Sequence, residues 1–242
     1  MPRAPLQYPD DFHGREKEKE RLIEQTKNKR STAIIGPRSI GKSWLMQYLL
    51  LVAPTELGHN FRVGHLFATA AGCSTVDKFV RTALSTLNYV DSNLEQAELT
   101  LDTLDRAIKS LYSQSITPVL CIDEFEKFQE FGTEFISQLG ASIGYGLVMI
   151  VICKERLHTY FGTNNLEFCE KFKPISLHSF TETEAIDFVE QKSAKANFTE
   201  EEKSRFENYA RNKRKRIPVL LQDYGESIRL NRINTDQHDA IT

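Results

Sequence analysis

The stretch AIIGPRSIGKSWLMQYLL, residues 33–50, decides the fold. STAII at 31–35 reads as a short apolar strand, and residues 44–52 read as a helix. Between them, GPRSIGKS at 36–43 fits the spacing G-x-x-x-x-G-K-[ST]. Each fixed residue has a chemical reason. The glycines let the backbone bend so that several N–H groups point at one anion. Lys42 brings a positive charge to the outer phosphates of a nucleotide, and Ser43 brings a hydroxyl for Mg2+. The helix that starts here adds its N-terminal dipole. A glycine turn can precede a helix by chance, but the strand before it and the helix after it weigh against chance here.

A second motif supports the first. VLCIDE at 119–124 is a buried strand that delivers Asp123 and Glu124 at its C-terminal end. Ligands of open α/β sheets bind outside those ends. Asp123 is placed to hold Mg2+ through water, and Glu124 to orient or deprotonate an attacking water. Two acids leaving a strand into solvent would be the plain alternative, and the phosphate loop argues against it. Glu126 reads as a surface residue on the following loop.

The same alternation continues along the chain. Residues 62–68, 117–128 and 147–153 read as strands, and KPISLHSF at 173–180 as a fifth strand with its exit. Continuous apolar runs mark strands covered on both faces, as in parallel sheets. Residues 15–30, 76–87, 99–111 and 134–143 carry helical patterns. After Phe180 strand signals cease. Thr181 with Glu184 three residues on is a capping-box start, and helices follow at 198–209 and 219–230. The reading is a three-layer α/β sandwich with a mostly parallel sheet of about five strands. It assigns 1–180 to a nucleotide-binding core, 181–230 to a small all-helical lid and 231–242 to a flexible polar tail.

The 242 residues suffice for one large domain or a domain with a small appendage. Hydrophobic content of 40% and charged content of 26% are ordinary for a soluble globular chain. A net charge of −2 argues against a surface built throughout for nucleic acid or anionic membrane, though not against a local basic patch. Cys73, Cys121, Cys153 and Cys169 form no C-x-x-C pair, so neither a zinc ribbon nor a disulfide scaffold is indicated. The histidines show no H-x-x-x-H or H-E-x-x-H spacing. The longest strictly apolar run, LVMIVIC, is far short of the roughly 20 residues a membrane span needs. MPRAPLQYPDDF has no signal-peptide core. A soluble, cytoplasmic protein with no membrane partner is expected.

Taken in order, several stretches resemble the STAND-type and archaeal-ATPase-type members of the AAA+ class of P-loop NTPases. YPDDFHGREKEKERL at 8–22 resembles their opening Phe-x-Gly-Arg-Glu box. GPRSIGKSWLM resembles their Gly-Pro-Arg-x-x-Gly-Lys-Ser/Thr loop, and CIDEFEKF their Ile-Asp-Glu-Phe Walker B strand. FKPISLHSFTETEAIDFV at 172–189 resembles the exit into a helical lid, and IPVLLQDYGESI at 217–228 the lid's x-Pro-x-x-Leu-Gln helix. The likeness covers residues 8–230. It implies ATP and Mg2+ as cofactors, hydrolysis of ATP, and a switch that controls a protein partner or self-assembly. The nucleotide-binding set it implies is Gly36, Pro37, Arg38, Ser39, Ile40, Gly41, Lys42, Ser43 and Trp44, joined by Phe12, Gly14, Arg15 and Pro218. Phe12, Gly14 and Arg15 would lie near the adenine and the sheet edge. The implied metal ligands are Ser43 and Asp123, and the implied catalytic group is Lys42, Asp123 and Glu124. Packing would also account for Phe12 and Trp44, and a surface charge for Arg15.

Three departures from the family pattern stand out. The sensor strand ends in Cys153 and Lys154, where a small hydroxyl or amide residue is usual. A thiol is a poor partner for γ-phosphate and water, which points to slow hydrolysis or to binding without turnover. RNKRKRIP at 211–218 replaces a glycine-rich approach to the lid proline. No winged-helix, repeat or effector domain follows, so the sequence reads as a bare nucleotide switch. The run Arg211, Lys213, Arg214, Lys215 and Arg216 has two readings. One is a solvated lid corner. The other is a phosphate contact, either to nucleic acid or, through Arg216, to the bound nucleotide. Arg156 reads as a surface arginine in preference to a finger reaching a neighbouring subunit. The expected partners are ATP with a second copy or a separate effector protein. The alternative is a nucleic-acid-stimulated ATPase, such as a DNA-loading or transposition helper, with nucleic acid along 211–216.

Overall fold

The computed structural model describes residues 6–91 and 98–239. Five strands form one sheet: β1 Thr32–Ile35, β2 Phe61–Phe67, β3 Thr117–Asp123, β4 Val148–Cys153 and β5 Lys173–Ser176. Their order is β2-β3-β4-β1-β5, and every pairing is parallel. Parallel neighbours need crossovers. These run through α2 Lys42–Glu56, α3 Val76–Thr86, α4 Leu101–Ser113, α5 Gly132–Gly144, α6 Leu157–Phe161 and α7 Leu166–Glu170, while α1 Glu16–Lys27 precedes the first strand. The register sets Ile35 beside Cys153, and Ile122 beside Val151. The C-terminal ends of β1 and β3 therefore reach the same sheet edge with β4 between them.

Side chains alternate across a strand, and here each apolar strand feeds two cores. Ala33 and Ile35, Leu120 and Ile122, and Met149, Val151 and Cys153 join one core, built with α3, α4 and α5. Ile34, Val119, Cys121, Val148, Ile150 and Ile152 join the other, built with α1 and α2. That double coverage is the physical reason for the unbroken apolar runs. Cys121 and Cys153 serve as small buried hydrophobes.

The strand read at 117–128 stops at Asp123. Glu124 has φ 54°, a left-handed conformation that an extended strand cannot pass through. Phe125–Phe131 then form a 3-10 segment. Phe125 is wholly buried, with ring centroids 5.4 Å from Phe128, 5.4 Å from Phe161 and 5.9 Å from Phe168. This aromatic cluster anchors the turn that carries the two acids.

Three C-terminal helices follow: α8 Glu182–Lys195, α9 Glu200–Arg211 and α10 Pro218–Asp239. They close around Phe180, Ala185, Phe188, Val189, Phe206, Ala210, Leu221 and Ile228, a core of their own. Thr181 with Glu184 and Thr199 with Glu202 form capping boxes, and Pro218 sits at the favoured first position of α10. At Gly225, a Cβ would lie 2.9 Å from the Phe206 ring, so only glycine permits that approach. The expected tail needs correction. The last helix does not end near 230 but runs to Asp239. No proline or glycine interrupts 231–239, and Arg232 donates to Asn197 O at 2.8 Å and Ala196 O at 2.9 Å, tying α10 to the end of α8. Residues 1–5, 92–97 and 240–242, which include part of the expected arm and tail, lie outside the described residues. Among the described residues, no helix is long and apolar enough to cross a membrane.

The aromatic cluster generates a test of what anchors the acidic turn. Phe125→Ala is expected to cost about 3–5 kcal/mol, seen as a lower urea midpoint at unchanged slope.

Candidate functional site

The loop between β1 and α2 is shaped by its backbone. Gly36 has φ 155°, and a Cβ there would meet Leu177 O at 2.7 Å. Gly41, with φ 98°, leads into α2. Ser39 adopts φ 65° without being glycine, a strained turn held by its surroundings. Ile40 is buried in the core beneath the loop, while Pro37 and Arg38 are exposed at its crest. No side chain caps α2, so its first-turn N–H groups keep their donor capacity for an anion. Lys42 Nζ donates to Gly36 O at 2.7 Å and to Pro37 O at 2.8 Å. Burial pulls its pKa down from the usual lysine value, and Asp123 and Glu126 oppose that pull.

The acids meet the loop directly. Ser43 Oγ donates to Asp123 Oδ2 at 2.6 Å, and the Glu124 N–H donates to Asp123 Oδ1 at 2.8 Å. Asp123 is buried and Glu124 is exposed. Thr69, in the loop after β2, donates to Glu124 Oε2 at 2.7 Å. The sequence reading missed Thr69. Its signal was positional: Phe67 pairs with Asp123, so a hydroxyl two residues later lies beside the acids. Among the described residues, no group of three His, Cys, Asp or Glu side chains could hold a metal by itself.

Glu126 is not the surface residue expected. It is 6% exposed, with Oε1 3.4 Å from Lys154 Nζ and Oε2 without a hydrogen-bond partner. The 3-10 turn that buries Phe125 and Phe128 draws Glu126 inward against the end of β4. Cys153 is buried there, and burial pushes its thiol well above the usual range.

The other end of the site is apolar. Phe12 is buried, 6.3 Å edge-on to Trp44 and 6.0 Å from Tyr48. Lys19 donates to Phe12 O at 2.6 Å and sits 5.0 Å over the Phe12 ring. Gly14 takes φ 72°, where a Cβ would lie 3.4 Å from the Phe180 ring. Arg15 is buried, which corrects the surface-charge alternative. Its guanidinium donates to His178 O and to Ile40 O at 3.5 Å, and lies 4.7 Å over Phe180. Burial lowers its pKa, with Glu18 and Glu184 acting against the shift.

A cleft of about 210 Å³ runs between these ends. Its lining is Phe12, His13, Ser39, Gly41, Lys42, Ser43, Trp44, Phe180, Phe188, Pro218, Val219 and Gln222. Seven residues of the expected set thus meet on one cleft. Gly36, Pro37, Arg38 and Ile40 shape the loop, Gly14 and Arg15 support it from behind, and Asp123 and Glu124 stand at the neighbouring strand end. His13, Phe188 and Gln222 were not anticipated, because only the fold brings them together.

Arg216 does not face the cleft. It donates to Glu182 at 2.5 Å, Arg211 O at 2.9 Å and Ala210 O at 3.2 Å, serving as a cap for the end of α9. Arg211, Lys213 and Arg214 are exposed, and Lys215 lies 5.4 Å over Tyr209. Arg156 is exposed at the start of α6.

Comparison with solved structures gives the same fold. The chain is similar to a Walker-type ATPase of Pyrococcus abyssi at 18% identity and a TM-score of 0.71, over 93% of this chain and 70% of that one. It is similar to the Aeropyrum pernix ORC2 protein, solved as ADPNP–ADP complexes, at 15% identity and a TM-score of 0.65. That match covers 80% of this chain and 54% of the other, so this chain spans about half the length of that protein. A Drosophila ORC structure bound to DNA matches at 14% identity and a TM-score of 0.60, over 91% of this chain and 56% of that one. No curated protein matches the sequence. The family model of the AAA domain matches residues 24–161, which hold the loop, the acids and the first four strands. That match covers more than half of the sequence, and the chain belongs to the AAA domain family.

Proposed function

We propose that this chain is an ATPase of the STAND kind, a nucleotide-dependent switch that binds magnesium–ATP between the sheet edge and the C-terminal helices. The observation that carries the reading is the 2.6 Å hydrogen bond from Ser43 to Asp123, beside a lysine whose ammonium already faces two loop carbonyls. A hydroxyl and a carboxylate are hard oxygen donors, which suits magnesium completed by phosphate oxygens and water. Ser43 and Asp123 would hold the ion, which when bound neutralises charge on the phosphate oxygens.

The chain's own residues do the rest. Lys42 exchanges its two carbonyl bonds for phosphate oxygens, and the loop amides cradle the same anion. Phe12, Trp44 and Pro218 enclose the base. Glu124, held by Thr69, takes a proton from water as the water oxygen bonds to the γ-phosphorus. The bond from that phosphorus to the ADP oxygen breaks, and ADP leaves with the electron pair. Cys153 offers only a weak S–H donor at the end of the sensor strand, which makes turnover slow. Since the core and α10 line one cleft, nucleotide that touches both favours their approach. The resulting closed form binds a protein partner or a second copy. The four cysteines are free, which fits a cytoplasmic site of action.

A second reading has its own observation. Exposed Arg211, Lys213 and Arg214 form a basic corner on the C-terminal helices, and two of the similar structures are bound to DNA. Nucleic acid on that corner would stimulate hydrolysis.

Lys42→Ala is expected to weaken magnesium–ATP binding by roughly 10- to 100-fold, the loss of a charged hydrogen-bond donor, as measured by calorimetric titration. Unchanged affinity would refute the reading. Glu124→Gln is expected to leave ATP binding intact while the steady-state phosphate release rate drops on the order of 100-fold. An unchanged rate would mean that Glu124 does not serve as the base. Adding duplex DNA should leave the rate flat if the partner is a protein. A rise that fades steeply with salt would favour the second reading.

A further inference from the structure

The apolar end of the cleft contains two side-chain atoms with no hydrogen-bond partner. His13 Nε2 and Gln222 Oε1 are buried and unpaired, and both residues line this cleft. Among the described residues, only five buried side-chain atoms are in that state. Two of the five therefore belong to one small cleft. Native folds rarely leave such atoms unsatisfied, and each calls for an explanation. His13 comes from the N-terminal arm next to Phe12. Gln222 comes from the first turns of α10. Phe188 of α8 lies near both, with its ring 6.0 Å from the His13 ring.

The chemistry of the two atoms is the same. Burial, reinforced by Lys192, Lys195 and Lys19, holds the His13 imidazole down to about 4, so the ring is neutral at neutral pH. A neutral imidazole carries one proton, and with that proton on Nδ1 the unpartnered Nε2 offers a lone pair. Gln222 Oε1 also offers lone pairs. An apolar slot with two acceptors suits a flat ligand that carries two N–H bonds on one edge.

We propose that His13 and Gln222 are the specificity-determining residues for the base, accepting the two N–H bonds of the exocyclic 6-amino group of adenine. The proposal rests on the reading of this cleft as a nucleotide site. A purine with a carbonyl oxygen in place of that amine presents a third acceptor to two others. Only its N1–H remains on that edge to donate, so at least one of the two protein atoms stays unpaired and the base binds more weakly. Neither residue touches phosphate or the acids, so their contribution is to selection and not to the phosphate grip.

The experiment titrates magnesium–ATP, magnesium–ITP and magnesium–GTP into the full chain and into His13→Phe and Gln222→Met, which keep most of the bulk of each side chain. The parent is expected to bind ATP at least about tenfold more tightly than ITP or GTP, the scale of a lost hydrogen bond. Each variant should weaken ATP more than ITP, bringing the ratio toward one. Retained ITP binding shows that the variants are folded. A parent that binds ITP as well as ATP, a preference for GTP, or variants that keep the parent's ratio would each overturn the proposal. The underlying reading fails differently: the parent then binds none of the three, and Lys42→Ala changes nothing. If all three bind alike and Lys42→Ala weakens all three, only the base selection is wrong.

Discussion

One hydrogen bond, from Ser43 to Asp123, joins side chains 80 positions apart in sequence. It can form only because two strands end at the same height on one sheet edge. That height is fixed by the parallel register of β1 and β3 on either side of β4. The register in turn depends on strands that are apolar on both faces. A one-residue slip would exchange the residues of the two cores, moving Ile34 into the space of Ala33 and Ile35. The cores therefore protect the site geometry even though most of their side chains do not line the cleft. Phe125 shows the link most directly, because its ring sits in the core while its peptide follows Glu124.

Which features were legible in the sequence follows from how local their causes are. The phosphate loop is a contiguous pattern, and its glycines answer to backbone needs at their own positions, as Gly36 against Leu177 O shows. Thr181 and Thr199 cap helices through residues three positions away. Asp123 was legible because an apolar run ended there. Thr69, His13 and Gln222 were not, since each gains its meaning from a partner on another element. Glu126 was misread for a related reason. A charged residue after a strand is ordinarily solvated, and only the aromatic turn around it, with Lys154 alongside, makes burial tolerable. The end of α10 was also a tertiary matter. Its polar sequence offers no apolar stripe, and Arg232 anchors it to carbonyls at the end of α8.

Arg15 bears on how a nucleotide in the cleft could reach the C-terminal helices. Its guanidinium bonds a loop carbonyl at Ile40, bonds the carbonyl of His178 on the way out of β5, and lies on Phe180 at the edge of the helical core. A single rigid fork thus spans the three parts that a switch would have to coordinate. Such contiguity becomes coupling only if the parts have two arrangements that ligand can bias. The energetics of Arg15 supply an opposing force. Its Nε is buried without a partner, and burial disfavours its charge. Separation of the helices from the loop would free the guanidinium from Phe180 and His178 and return it to water. In the switch proposed above, desolvation of Arg15 would resist closure, while its attraction to Glu184, its contact with Phe180 and a nucleotide reaching from Lys42 to the wall of α10 would support it. A ligand shifts such an equilibrium only by its differential affinity for the two arrangements, and the contacts of Arg15 lie beside the phosphate loop, where that difference would arise.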